Sequence, residues 1–321
     1  MIHVVTGESI SKLDSLLTFA FMRSCPHNAV SQTNLNVQHE FNDGCFVVSE
    51  AKSNKQKSLF LRKLLKGQAN KIIIFGELPE FFLKMFDVVI GKKSFPVETF
   101  DCVSTPANTS SVSSGAVVYR DNVFGSGWVR PFCRFDFTDE WNNLGFGRIN
   151  SEGIWGLGSP VSFPKGKELA AVVCDGKYHS SFSAKVDGDF GSILWINRPV
   201  GTSDGPDWRI VEDFISNSLN NELIAIPVIA EIPAGYDSAV TMRLDCDEDI
   251  YSSQQLVDLY KQFDRPISLA ITTNLLNCNR NREFVRKTYE EGGGILSHSH
   301  SHPSKWGGGY HEAFNEALTS K

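Results

Sequence analysis

No long apolar run, no basic excess and no paired-cysteine motif occurs in this sequence, and each absence removes a class of function. No stretch approaches the ~20 apolar residues that a membrane-crossing helix needs, so no membrane span is expected. The formal net charge is −6, which leaves no basic stripe for a phosphate backbone. Neither a nucleic-acid partner nor a polybasic membrane contact is therefore expected. The cysteines (Cys25, Cys45, Cys102, Cys133, Cys174, Cys246, Cys278) number seven, are widely scattered and include no CxxC pair. That is the usage of reduced thiols in a cytoplasmic compartment rather than of a disulfide framework. The first residues, MIHVVTGESISKLDSLLTFAFM, offer only a short apolar stretch at 16–22, with Lys12 ahead of it and Arg23 behind. A secretory signal has a different form. No fixed-period repeat or low-complexity tract is visible.

What the chain does contain is enough for two domains, since 321 residues exceed the usual domain length of roughly 100–200. In the first hundred residues, apolar runs alternate with helical spacing. Residues 29–31, 45–48, 71–75 (KIIIF, with a turn at Gly76) and 88–90 read as strands, and 59–65 and 79–86 as helices. Strands separated by helices imply a layered α/β domain. Residues 101–114 read as a loop, and 115–160, rich in glycine and aromatics, as an irregular or antiparallel insertion. Strands follow at 169–174 (LAAVVC) and 192–196 (SILWI), with a turn at 187–191 between them. Residues 207–216 have helical spacing behind a capping Asp207. The domain expected from this text covers residues 1–230 and carries a mixed sheet; a second domain covers 231–321.

Two clusters in the second domain point to chemistry. In residues 239–249, AVTMRLDCDED, Val240, Met242 and Leu244 alternate with Thr241 and Arg243, so a strand is expected to run into four acids. Side chains two apart on a strand share a side, which aims Asp245 and Asp247 the same way. Carboxylates held so close repel one another unless a cation or a shared proton compensates. In residues 292–309, GGGILSHSHSHPSKWGGG, His298 and His302 are four apart and on a helical turn would share a face. Imidazole suits zinc and related metals. His300, on the other side, is not expected to be a ligand, and Ser297 or Ser299 is a candidate partner for the ligands. Between the clusters lie helix candidates at 253–263 and 283–290 and strands at 266–272 and 295–296. This order is that of successive βα units, whose strand C-termini gather at one rim.

The segments LDCD (residues 244–247) and HSHSHP (residues 298–303), with the flow between them, resemble the NodB-type polysaccharide deacetylases, the family-four carbohydrate esterases. The resemblance covers residues 237–311. It implies the first part of a NodB-type (β/α) barrel, with Asp245 as general base and Asp247, His298 and His302 as ligands of a divalent metal, most plausibly zinc. It also implies removal of acetyl groups, foremost from the nitrogen of a hexosamine, in a polysaccharide or oligosaccharide. Two departures stand out. Glu248 and Asp249 replace the glycine after the family's acidic pair, and the chain ends at Lys321, ahead of the family's later motifs. Those motifs supply an arginine for the base, the acetyl pocket and a general-acid histidine. The expectation is thus of an enzyme domain truncated ahead of those groups, with an inactive product as its alternative.

Alternatives compete with this reading. A catalytically inactive carbohydrate-binding or scaffold protein on a degenerate deacetylase fold fits the same motifs. A D-x-D magnesium phosphatase would use Asp245 as nucleophile, but Asp249 stands where threonine or valine is wanted. A calcium loop would need glycine and glutamate where Ile250 and Leu256 stand. Trp306 and His311 are aromatic candidates for a sugar groove, a residue type more often engaged in packing. Residues 1–225 loosely resemble class I glutamine-amidotransferase-like domains, whose nucleophile is a cysteine on a strand-to-helix elbow. Cys174, with His179 nearby, is the nearest candidate, although a strand cysteine is more often a core thiol.

Overall fold

The computed structural model describes residues 1–35, 43–91, 94–96, 103–104, 111–112, 115–120, 129–132, 156–199, 206–217, 223–230, 232–303 and 309–321. The loop expected at 101–114 and the insertion expected at 115–160 lie largely outside them. The protein is α/β, and it divides into two compact units, one reaching to Ile229 and the other holding Ala230–Lys321.

The first unit is built on a nine-stranded mixed sheet. Its strands are β1 (Ile2–Thr6), β2 (Val30–Asn34), β3 (Cys45–Ser49), β4 (Asn70–Phe75), β5 (Gly115–Tyr119), β6 (Val129–Pro131), β7 (Glu168–Cys174), β8 (Lys177–Gly188) and β9 (Gly191–Ile196). Their spatial order is β2-β1-β3-β4-β9-β8-β7-β5-β6. The pairings from β2 to β9 are parallel and those from β9 to β6 antiparallel. Helix α1 (Lys12–Ser24) carries the chain from β1 to β2, and α2 (Lys55–Leu64) carries it from β3 to β4 in the opposite direction. Right-handed crossovers that run in opposite directions leave their helices on opposite faces.

The cores record this winding. Ile2, Val4, Cys45, Val47, Ile73 and Phe75 pack with Leu17 and Phe21 of α1 and with Trp208, Val211 and Phe214 of α4 (Pro206–Ser216). Val5, Phe46, Val48, Ile72 and Ile74 pack on the other side with Phe60, Leu61 and Leu64 of α2 and with Phe82 of α3 (Glu80–Met85). The KIIIF run is apolar throughout because both of its faces are covered. Helix α4 starts at Pro206, so Asp207 lies inside it and is not the residue ahead of its first turn.

At the C-terminal ends of β1 and β3, Lys57 and Asp14 form an ion pair at 2.6 Å with both side chains 1% exposed. The Ser49 hydroxyl donates to the same carboxylate oxygen of Asp14 at 2.9 Å. The other oxygen accepts the Ser11 N–H and closes the capping box of α1. Removing one member of a buried pair strands the other in a medium that solvates it poorly. Asp14→Ala is therefore expected to lower the unfolding free energy by about 3 kcal/mol, read from urea denaturation followed by circular dichroism.

In the second unit, β10 (Arg243–Cys246), β11 (Ser268–Ile271) and β12 (Gly294–Ser297) form a parallel sheet in chain order. Helix α5 (Gln254–Gln262) follows β10, α6 (Asn279–Glu290) follows β11, and α7 (Tyr310–Thr319) comes last. Both crossovers step the same way, so both helices belong on one face. Cys246, Leu269 and Ile271 duly pack with Val257 of α5 and Phe284 of α6. This is the winding sense of a (β/α) barrel, but among the described residues the sheet is three strands wide and does not close. The first strand is shorter than its alternation suggested. β11 reaches back only to Ser268, opposite Arg243, and Val240 and Met242 are exposed. Without a neighbour to pair with, an alternating pattern does not make a strand.

Candidate metal centre

The parallel register sets the site. Asp245 lies opposite Ala270, and Ala270 opposite Leu296. One residue on, the Thr272 N–H donates to the Cys246 carbonyl and the His298 N–H to the Ile271 carbonyl. The ladder thus continues to the point where the three strands end together. Since Leu269 and Ile271 face the helices, the alternate positions, Asp245 and Asp247 among them, fall on the other face.

There Asp247, His298 and His302 each offer one ligand atom, and these atoms lie within 4.8 Å of one another. Asp247 Oδ1 is 3.4 Å from His298 Nε2 and 3.7 Å from His302 Nε2. Bonds of roughly 2.0–2.2 Å to one ion put ligand atoms about 3–4 Å apart. A carboxylate and two imidazoles at these separations fit a divalent cation in both chemistry and spacing. The side chains are 42%, 26% and 28% exposed in the same order, so the site opens to solvent.

The histidines converge in a way the sequence spacing did not foretell. Residues 298–303 form no helical turn. The chain leaves β12 extended and then bends, with Ser299 at φ 69° and His302 at φ 51°. Left-handed backbone at two non-glycine residues costs energy and persists only where the surroundings fix it. Several bonds do so. The Ser299 hydroxyl accepts the His302 N–H at 2.9 Å, which is main-chain support rather than a bond to an imidazole. The Ser299 and His300 carbonyls accept the Thr273 and Asn274 N–H groups at 3.0 and 3.1 Å. His300 turns away to Thr273 Oγ1, 3.1 Å from its Nδ1, and stands outside the ligand group, as expected.

Two functional neighbours were not found from the sequence. The Arg243 guanidinium grips both oxygens of Asp245, at 2.8 and 3.0 Å. Asp245 Oδ2 also lies 3.7 Å from His298 Nε2, so this carboxylate is held beside the ligand group without belonging to it. The i, i+2 spacing of Arg243 and Asp245 on a strand was the available signal. The second neighbour is Glu316 of α7, which accepts the His300 and Ser301 N–H groups at 2.8 and 2.9 Å and the Ser301 hydroxyl at 2.6 Å. No local pattern advertises a carboxylate that acts across 15 positions.

Cys246, between the two aspartates in sequence, is excluded as a ligand. Burial raises its thiol above the ordinary range against a lowering contact from Ser253, and the neighbouring carboxylates push it further. Its side chain packs with Leu269 and Ile271 on the helix face of the sheet, the side opposite the aspartates. Asp249 accepts the Tyr251 N–H at 3.0 Å and closes a turn outside the cluster. Trp306 lies outside the described residues, and His311 is exposed with its ring edge-on to Tyr310. A cavity of about 240 Å³ lined by Lys261, Asp264, Arg265 and Gly293 lies beside the N-terminal ends of β11 and β12, away from this chemistry.

In the first unit, Cys174 is the core thiol that its strand position favoured, and it stands at a hairpin and not on a nucleophile elbow. Cys174 ends β7 and pairs with Lys177 across Asp175–Gly176, whose φ values of 50° and 71° are those of a type I′ turn. Cys174 is buried, and the His179 ring stacks on Phe95 at 4.7 Å. The resemblance to amidotransferases thus lacks its catalytic feature here.

Comparison with protein-family models gives no match to this chain, and a search of curated proteins finds none similar to it.

Two outcomes follow from the Glu316 clamp. Glu316→Ala is expected to weaken divalent-cation affinity about tenfold, measured by titration calorimetry, with the far-ultraviolet circular dichroism unchanged. The bonds from Ser301 and, more weakly, from the His300 N–H hold this carboxyl below its ordinary pKa. A depressed folded-state value means the clamp is intact above the ordinary glutamate range and is lost only as pH falls through the lowered value. The Ser301 amide resonance, followed through an acid titration, should move at that lower pH.

Proposed function

We propose that the second unit is a metal-dependent deacetylase that removes acetyl groups, chiefly from the nitrogen of a hexosamine, in a polysaccharide or oligosaccharide. We further propose that its fold is the opening part of a NodB-type (β/α) barrel. The observation that carries the reading is the convergence of Asp247, His298 and His302 beside a separate, arginine-held Asp245. Two kinds of carboxylate, one among the imidazoles as ligand and one next to them as base, suit metal-assisted acetyl hydrolysis. The winding of the three parallel strands and the likeness of LDCD and HSHSHP to the family's motifs support the same reading.

In this scheme Asp247, His298 and His302 would hold the cation, most plausibly zinc given two imidazoles and a carboxylate. Bound there, it would supply Lewis acidity toward an acetyl carbonyl and toward water. Asp245 then acts as general base on the attacking water. Arg243 grips both oxygens of Asp245, which fixes where that base stands. Glu316 and Ser299 hold the backbone of the histidine turn, which keeps the two imidazoles on a common centre.

The phosphatase alternative loses ground, because it has no use for either histidine. A non-catalytic carbohydrate binder built on the same scaffold is separated from the enzyme by turnover. The zinc-loaded chain is expected to release acetate from an N-acetylglucosamine oligosaccharide. Asp245→Asn should keep the metal and lower the rate by roughly 10²–10⁴-fold, while His298→Ala should lose the metal as well. Oligosaccharide binding without acetate release would favour the non-catalytic protein, and failure of the chain to bind any divalent ion would sink the enzyme.

A further inference from the structure

Thr272 stands between two of the three ligand residues. Past the ends of β10, β11 and β12 the ladder brings Asp247, Thr272 and His298 level with one another. Residues level with each other in a parallel sheet project to the same face. That face is the ligand face, since Leu269 and Ile271 occupy the other. The Asp247 and His298 side chains close to 3.4 Å across the position that Thr272 fills.

The Thr272 side chain is unusual in two respects. It is 1% exposed, and its Oγ1 is buried without a hydrogen-bond partner. It also occupies the position ahead of a short 3₁₀ turn, Thr273–Asn277, where a threonine hydroxyl would ordinarily cap the turn, and it makes no such bond. A buried hydroxyl left unsatisfied is costly, so its retention calls for a use.

The two carboxylates at this sheet edge are treated unequally. Asp245 has the forked guanidinium of Arg243 on both oxygens. Asp247 has two imidazoles near Oδ1, at 3.4 and 3.7 Å, and among the described residues no donor is recorded on Oδ2. Metal-ligating carboxylates are themselves held by hydrogen bonds from neighbouring groups. The donor missing at Asp247 and the acceptor missing at Thr272 lie side by side in the register.

We propose that Thr272 is a positioning residue of the cation site: once a cation is bound, the hydroxyl that has no partner here donates to the Asp247 carboxylate and fixes that carboxylate as a ligand. The inference rests on the metal-site reading and deepens it. It concerns a residue from the strand between the two motifs, in a position that neither motif contains.

The test compares the whole chain with Thr272→Val, which removes the hydroxyl at nearly constant shape, and Thr272→Ser, which keeps it. Cobalt(II) serves as the probe, read by its visible absorption and by competition with a chromophoric chelator. Thr272→Val should bind cobalt about tenfold more weakly with an altered absorption band, and Thr272→Ser should return to within about threefold of the parent. Metal-free Thr272→Val should melt no lower than the parent, because the lost hydroxyl was unsatisfied there. A valine variant with unchanged affinity and spectrum overturns the role of Thr272 while leaving the metal site standing. A serine variant as weak as valine overturns it too, by tracing the effect to packing of the methyl group. A parent chain that does not bind cobalt overturns the metal site, and this inference with it.

Discussion

The hydrogen-bond ladder between β10, β11 and β12 is the constraint on which the candidate site depends. It makes three strands, drawn from residues 243–297, end at a common edge. Left to themselves, two aspartates and two histidines separated by fifty positions would be brought together only at a large cost in chain entropy. The helices α5 and α6 meet that cost by burying Val257 and Phe284 against Leu269 and Ile271. The polar residues beyond the strand ends are then gathered without any attraction of their own. Packing on one face of the sheet creates the chemistry on the other.

The same edge is reinforced from outside the sheet. Glu316 of α7 and the Thr273–Asn274 backbone hold the turn of residues 299–302 from separate directions. That support is what allows Ser299 and His302 to keep left-handed backbone. A free histidine turn would relax and carry the two imidazoles apart. Positioning here is done by main-chain bonds, which tolerate changes of side chain better than direct contacts to the ligands would.

The two units solve their winding differently, and the difference bears on where chemistry can sit. In the first, the crossovers reverse direction, both faces of the parallel strands are covered, and the polar groups at the strand ends satisfy one another, as in the Asp14–Lys57–Ser49 cluster. In the second, both crossovers step the same way and leave one sheet face to the aspartates and histidines. A self-satisfied cluster stabilises a fold. A cluster with ligand atoms 3.4–3.7 Å apart and open to water can take up an ion.

The sequence by itself determined a good deal. Apolar periodicity gave the strands around KIIIF, LAAVVC, SILWI and the PISLAIT run, because burial on one or both faces writes itself into the spacing of residues. The acids and imidazoles at strand ends pointed to a metal site, and the resemblance of LDCD and HSHSHP to a family's motifs singled out Asp247, His298 and His302. Periodicity did not give helix α1, although Ser11 and Asp14 stand at capping-box spacing. Nor did it give the Asp175–Gly176 hairpin, although that dipeptide is a strong turn signal. Only the tertiary structure decided how the histidines meet, by a strained turn and not a helix. It alone found Arg243, Glu316 and Thr272 beside the ligands. The reason is that periodicity reports which face a residue occupies, while its partners across the sheet are fixed by register, and register is a property of the assembled strands.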